Sequence, residues 1–119
     1  MHFEGKTMEN LELNVYMLEQ LSSRLKAMAH PVRIAIIEML TTVPQMSVTE
    51  IYSRLAIEQA AASHHLNLMK NKGILVAKRD GKRIYYSLVN EAMADIIRCL
   101  VKCKEPESKR INRVERRTA

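Results

Sequence analysis

The stretch that decides the fold is SVTEIYSRLAIEQAAASHHLNLMKNKGILVAKRDGKRIYYSL, residues 47–88. Ser47, followed three residues later by Glu50, forms a capping-box pattern and predicts a helix that ends near Leu55. After a short linker, apolar residues at helical spacing predict a second helix at about 59–71. Two short helices in this arrangement are typical of a helix-turn-helix.

The second half of this stretch predicts a β-hairpin. Gly73 ends the second helix, because glycine readily adopts the left-handed conformation of a helix C-cap. Residues 74–79 and 83–88 are rich in β-branched and aromatic side chains, and the Asp-Gly dipeptide between them is a strong turn signal. Ahead of the stretch, residues 43–46 are predicted to form a loop. The fold class is therefore mainly α with a small β-hairpin.

The two faces of the second predicted helix differ in chemistry. Ala62, Leu66 and Met69 recur at helical spacing and are expected to face the core. The opposite face carries small or polar side chains, which suit a helix that enters a DNA major groove and meets the edges of the bases. The candidate DNA-contacting residues on that face are Gln59, Ala60, Ser63, His64 and Asn67.

Positive charge collects around the tip of the predicted hairpin. Lys78, Arg79, Lys82 and Arg83 lie on either side of the turn, where they are candidates to clamp phosphates beside the groove. The chain of 119 residues carries a net charge of +6 and has a pI of about 9.6. This balance favours an anionic partner, either nucleic acid or a membrane surface, although an ordinary basic protein can show the same charge.

Five segments follow one another in a characteristic order: LKAMAHPVR at 25–33, SVTEI at 47–51, Gln59 with SHHL at 63–66, GIL at 73–75 and GKRIYYSL at 81–88. As an ordered set they resemble the ArsR-type winged-helix repressors, and the resemblance spans residues 21–103. It implies a winged helix-turn-helix homodimer that binds double-stranded operator DNA sequence-specifically and regulates transcription, most often as a repressor.

The helices predicted at the two ends of the domain carry long apolar stripes. For the first, at 9–28, contact with the core and contact with a second copy are equally weighted, and the resemblance places it in a dimer interface. A domain of this size often buries more surface by pairing. The last helix should begin with Asn90 as its N-cap and end at Glu105-Pro106. The stripes consist of Leu11, Val15, Leu18, Leu21, Leu25 and Met28, and of Met93, Ile96, Ile97, Leu100 and Val101.

A break after the first helix introduces a core helix and several polar candidates. His30 precedes a proline, which disfavours helical geometry, and is interpreted as a structural turn residue before a helix at 32–41. The resemblance places Arg33 either toward DNA or in the turn. It also implies that His64 faces DNA, whereas His65 is expected to pack against the hairpin or a phosphate. The expected core residues of the helix are Ile34, Ile37, Met39 and Leu40.

The resemblance raises the question of an inducer, because members of the family mostly couple DNA release to metals, arsenic or sulfur oxidants. Ser47 and Thr49 stand where one metal site of the family has thiols. Soft metals need thiolates and tetrahedral zinc needs about four ligands, so neither standard metal site of the family is predicted here. The positions of a second family site hold Asn90, Ala92, Cys103 and Pro106.

Cys99 and Cys103 are the two thiols of the chain and lie about one helical turn apart. Three interpretations stay open. The thiols are small apolar residues at the dimer contact, a soft-metal or arsenite site, or a redox sensor. A redox sensor would act through a bridge between subunits or a persulfide, because an intrahelical disulfide at this spacing is strained. The second and third interpretations imply a small thiol-reactive inducer.

The sequence also predicts domain organisation and compartment. We expect a flexible segment at 1–8, the winged-helix domain at 9–104 and a disordered basic tail at 105–119. Two cysteines, no signal-peptide pattern and no long apolar run favour the cytoplasm without membrane association. No nucleophile–base pair, glycine-rich phosphate loop or paired carboxylates indicate an enzyme or a cofactor. The alternative function is a protein-interaction module that does not bind DNA.

Overall fold

The computed structural model describes residues 8–103. The side chains of residues 8–13 lie outside the described part, as do the predicted tail at 105–119 and the predicted segment at 1–8 apart from the backbone of its last residue. Leu11 of the first apolar stripe is among these side chains. The elements in chain order are α1 (Met8–Met28), α2 (Pro31–Thr42), β1 (Met46–Ser47), α3 (Val48–Leu55), α4 (Gln59–Asn71), β2 (Leu75–Asp80), β3 (Arg83–Leu88) and α5 (Ala92–Lys102).

The sheet has one strand more than the sequence predicts. β2 and β3 form the expected antiparallel hairpin, and β1 pairs with the other edge of β3, with Met46 opposite Tyr86 and Ser47 opposite Tyr85. The prediction that residues 43–46 are all loop is therefore wrong at its last residue. Met46 is 1% exposed, so burial in the core together with pairing to β3 holds this two-residue strand in place.

The helix-turn-helix itself forms as predicted. The backbone N–H of Glu50 donates to Ser47 Oγ at 3.2 Å, and the backbone N–H of Ser47 donates to Glu50 Oε1 at 3.0 Å, which completes the capping box. α3 ends at Leu55, and its C-cap Ala56, whose φ of +54° is left-handed, turns the chain toward α4. Gly73, with φ of +78°, follows α4 and directs the chain into β2.

All eight elements contribute to one apolar core. Ala62, Leu66 and Met69 on α4 are buried, as predicted from their spacing, and Ile51 on α3 belongs to the same core cluster as Leu66 and Met69. On α2 the buried residues are Ile36, Ile37 and Leu40. Ile34, which was predicted to be a core residue, is instead 36% exposed, because it falls on the outer side of the helix.

The last helix is shorter than predicted. Asn90 Oδ1 accepts a hydrogen bond from the backbone N–H of Ala92 at 2.8 Å, so Asn90 does cap the helix, although the formal N-cap position is Glu91. The helix ends at Lys102 and not at the predicted Glu105-Pro106, which places Cys103 at the C-cap.

Within residues 8–103, no helix combines the length and apolar character needed to cross a bilayer.

Candidate nucleic-acid interface

The outer face of α4 is free to meet a partner. Gln59, Ala60, His64 and Asn67 are exposed and Ser63 is partly exposed, so the five predicted DNA-contacting residues of α4 lie together on one surface. The buried residues of α4 lie on its opposite face and fix the helix against the core. The arrangement matches a recognition helix that presents one face to a major groove, and α4 is called the recognition helix below.

The hairpin of β2 and β3 forms the wing of the fold. Lys78, Arg79, Lys82 and Arg83 are all exposed, and the cross-strand register places Lys78 opposite Tyr85 and Arg79 opposite Ile84. Gly81 has φ of +66°, which glycine adopts without a steric penalty, so the chain reverses tightly at the tip. The four predicted basic residues are thus gathered at one end of the sheet.

The start of α3 is electrically linked to the wing. The hydrogen bonds from the backbone and the hydroxyl of Ser47 hold the pKa of Glu50 below its ordinary value, and the positive charges of Arg54 and Arg83 lower this pKa further. Arg83 therefore lies close enough to the capping box to act on its carboxylate.

A cluster of histidines and an arginine joins α2 to the recognition helix. His30 Nδ1 accepts the backbone N–H of Val32 at 3.1 Å, so His30 is the N-cap of α2, as its interpretation as a turn residue implies. Arg33 Nη1 donates to His65 Nδ1 at 3.4 Å, and the rings of His30 and His65 lie 4.5 Å apart between centroids. His65 was predicted to pack against the hairpin or a phosphate, whereas its ring contacts residues at the start of α2.

Burial lowers the pKa of His65 below its ordinary value, and the nearby charges of His30, Arg33 and His64 lower it further. The Nε of Arg33 is buried and has no hydrogen-bond partner among the described residues. No motif in the sequence predicts this cluster, because its members come from two helices that are far apart along the chain.

The outer helices leave apolar surface uncovered in the single chain. Leu18 on α1 is 55% exposed and Leu100 on α5 is 65% exposed, although both belong to predicted apolar stripes. Cys99 and Cys103 are exposed as well. Among the side chains that the structure describes, at 14–103, no group of three or more histidine, cysteine or carboxylate side chains is arranged to hold a metal ion.

A helix-turn-helix with an exposed polar recognition helix beside a basic wing defines the class of winged-helix DNA-binding proteins. Comparison with known proteins leads to the same class. Residues 28–76 match a family model described as a helix-turn-helix domain. The HTH-type transcriptional regulator YgaV of Escherichia coli is 40% identical to this chain over 82 residues, which cover 69% of the chain and 83% of YgaV.

Solved structures agree with these sequence matches. The crystal structure of the transcriptional repressor PagR of Bacillus anthracis shares 40% identity, with a TM-score of 0.64, over 71% of this chain and 98% of PagR. The homodimeric winged helix-turn-helix domain of Mb0332 from Mycobacterium bovis shares 28% identity, with a TM-score of 0.67, over 76% of this chain and 82% of that domain. The chain belongs to the ArsR/SmtB family of helix-turn-helix transcriptional regulators, as its ordered motifs predict.

Proposed function

We propose that this protein is a transcriptional repressor that binds a palindromic operator as a homodimer, through the outer face of its recognition helix. The observation that carries the proposal is the division of α4 into a buried face and an exposed polar face beside a basic wing. Its relatives support it, since PagR is a transcriptional repressor and the Mb0332 domain is homodimeric.

Base recognition is assigned to the exposed face of α4. Gln59 and Ser63 lie one helical turn apart, and His64 follows on the same outer surface. Glutamine donates and accepts through its amide and recognises adenine in the major groove, and serine reaches several base edges. Ala60 is small enough to let the helix approach a thymine methyl group, and Asn67 extends the surface toward the end of the helix.

The wing is assigned to phosphate contact. Lys78, Arg79, Lys82 and Arg83 are exposed at one end of the sheet, and basic side chains of this kind bind phosphates without reading sequence. In a two-fold symmetric dimer the two recognition helices would enter successive major grooves about 34 Å apart. The partly uncovered apolar faces of α1 and α5 are the surfaces through which two copies would pair.

Base recognition is tested by replacing Gln59 or Ser63 with alanine. Each change should cost about 1–3 kcal/mol on the correct operator and little on random DNA, because it removes contacts to base edges. Asn71→Ala, at the exposed far end of the same helix, is the matched control and should bind both DNAs like the wild type. Equal losses on operator and random DNA would show that these residues do not recognise sequence.

Phosphate contact is tested through the salt dependence of binding. Neutralising Lys82 or Arg83 should weaken binding to every DNA and lower the slope of log affinity against log salt by about one unit each. An unchanged slope would show that the wing does not contact DNA phosphates. If the wild type shows no salt-dependent DNA binding at all, the protein-interaction alternative replaces the proposal.

An inducer, if it acts through thiols, is assigned to Cys99 and Cys103, which are exposed at the end of α5. Modification there would change the helix whose apolar face is proposed to pair, and so the spacing of the two recognition helices. The test compares DNA affinity of the wild type and a Cys99→Ser, Cys103→Ser double variant, with and without arsenite or a persulfide donor. If only the wild type releases DNA, the cysteines are the sensor. If neither protein releases DNA, the cysteines are packing residues.

A further inference from the structure

His65 lies where the recognition helix packs against the start of α2. The contact of His65 with His30 and Arg33 is called the seam below. His65 follows the exposed His64 and precedes the fully buried Leu66, so its ring lies at the margin of the core. There it contacts two residues from the start of α2: the ring of His30, tilted by 48°, and the guanidinium of Arg33. These contacts join residues separated by more than 30 positions, and they are the polar contacts that fix α4 against α2 in the described part of the chain.

The donors in this seam determine where the histidine protons lie. Arg33 Nη1 lies 3.4 Å from His65 Nδ1, and because a guanidinium offers only donors, Nδ1 is the acceptor, without a proton, when this hydrogen bond forms. His65 is then neutral, with its proton on Nε2. His30 Nδ1 accepts the backbone N–H of Val32 in the same way. Both hydrogen bonds thus use an unprotonated Nδ1, on two rings whose centroids lie 4.5 Å apart.

We propose that neutral His65 is a positioning residue, which holds the recognition helix against α2 through its contact with Arg33. Protonation of His65 breaks this contact and loosens the packing of the recognition helix on α2. The inference rests on the proposed role of α4 in DNA recognition. A proton on Nδ1 would replace the acceptor that Arg33 uses with a second donor, and would place a positive charge against a guanidinium. The Nε of Arg33 already lacks a partner among the described residues, so the loss would leave this buried group less satisfied still.

The charges that face His65 all oppose its protonation. His30 and Arg33 approach it from α2 and His64 from its own helix. On its side away from His65, Arg33 lines a small pocket together with Lys26 from α1 and Lys72 after α4, so the charges around the guanidinium are also positive. Because the folded pKa of His65 is lowered, its stabilising contribution is complete above the ordinary value of 6.5 and is lost as the pH falls below it.

The first experiment needs no DNA. His65→Asn keeps an acceptor oxygen near the position of Nδ1 but does not titrate, and His64→Asn is the matched control with the same loss of helix propensity. Between about pH 6.5 and pH 5, the unfolding constant of the wild type should rise relative to that of His65→Asn, by at most about tenfold for each pH unit. The control keeps His65 and should retain this rise, slightly reduced because the charge of His64 no longer opposes protonation of His65. Parallel pH profiles for the wild type and His65→Asn would overturn the proposal.

Nuclear magnetic resonance of the wild-type histidine ring nitrogens gives an answer that does not depend on any variant folding. At about pH 7.5, the seam requires His65 to be the neutral form with its proton on Nε2. Observation of the Nδ1-protonated tautomer, or of a charged ring at this pH, would overturn the proposed positioning contact.

The second experiment measures operator binding between about pH 7.5 and pH 5.5 for the wild type and His65→Asn. The wild type should lose affinity relative to the variant as the pH falls. If it gains affinity instead, His65 becomes charged against a phosphate, and the proposal is wrong. If neither protein binds DNA at any pH, the proposed function fails, while the DNA-free measurements still decide whether neutral His65 seats α4.

Discussion

Two regions of the molecule have similar apolar patterns but differ in how far their apolar side chains are buried. One is the helix-turn-helix with its wing, and the other is the pair of helices α1 and α5. Ile51 on α3 and Leu66 on α4 are 0% exposed, whereas Leu18 on α1 and Leu100 on α5 keep more than half of their surface open. One region completes its core within a single chain. The other contributes Met28 and Ile97 to that core and leaves the rest of its apolar faces uncovered.

This difference shows what a helical stripe of leucines can and cannot indicate. The spacing of apolar residues identifies which face of a helix avoids water, but it does not identify what covers that face. In α4 the covering surface is the same chain. In α1 and α5 it is proposed to be a second copy, and each of the following experiments tests that contrast.

The largest effect is expected where the proposed pairing surface is broken. Burying a leucine contributes roughly 1.5–3 kcal/mol, and each position occurs twice in a two-fold dimer, so Leu100→Glu should weaken pairing by about 3–6 kcal/mol. Sedimentation equilibrium of the wild type and the variant measures this shift. Arg98→Ala, on an exposed position of the same helix, is the control. Unchanged self-association of Leu100→Glu would place the dimer contact elsewhere.

Breaking the core of the helix-turn-helix should lower the free energy of unfolding. Leu66→Ala removes a fully buried side chain and leaves a cavity, and we expect it to lower the free energy of unfolding by about 2–5 kcal/mol. Chemical denaturation at a single protein concentration measures the change. The neighbouring exposed change Asn67→Ala should stay within about 0.5 kcal/mol of the wild type. A loss for Leu66→Ala as small as that for the neighbour would contradict a core completed by one chain.

The capping box should give a smaller effect. Ser47→Ala removes the hydroxyl that accepts the backbone N–H of Glu50, and loss of an N-cap costs about 0.5–2 kcal/mol. Because the pKa of Glu50 is lowered in the folded state, its contribution is complete above its ordinary value of 4.5 and disappears as the pH falls below it. Denaturation at several pH values should show a shallower acid loss for Ser47→Ala than for the wild type. Parallel curves would argue against the capping role.

The smallest effect is expected at the exposed thiols. Replacing Cys99 and Cys103 together with serine should change the free energy of unfolding by less than about 0.5 kcal/mol, because both side chains are exposed in the single chain. If stability falls by more than this and the fall depends on protein concentration, the thiols are buried in the dimer, which favours the interpretation of small apolar residues at the contact.

Local signals made most of the fold predictable. The capping box at Ser47, the glycine after α4 and the turn of the hairpin each act over a few residues, and the structure has helix and strand bounds close to those predicted. The predicted base-contacting residues also share one surface, because helical periodicity fixes which side chains of α4 lie together.

The features that were missed depend on contacts between distant segments. β1 has only two residues and exists because Met46 pairs across to Tyr86, a partner 40 positions away. The seam between His30, Arg33 and His65 likewise joins two helices that only the folded core brings together. Ile34 was misplaced because α2 is apolar on more than one side, so periodicity did not distinguish its buried face.

Ser47 belongs to two structures at once, since it is the last residue of β1 and the N-cap of α3. The chain from β1 through α3 and α4 to β2 and β3 returns to its starting point when β3 pairs with β1. These elements form a closed ring that carries both the recognition helix and the wing. The ring itself sets the position of the wing relative to the recognition helix. An operator with a different distance between its halves would therefore be accommodated by movement of one whole ring against the other.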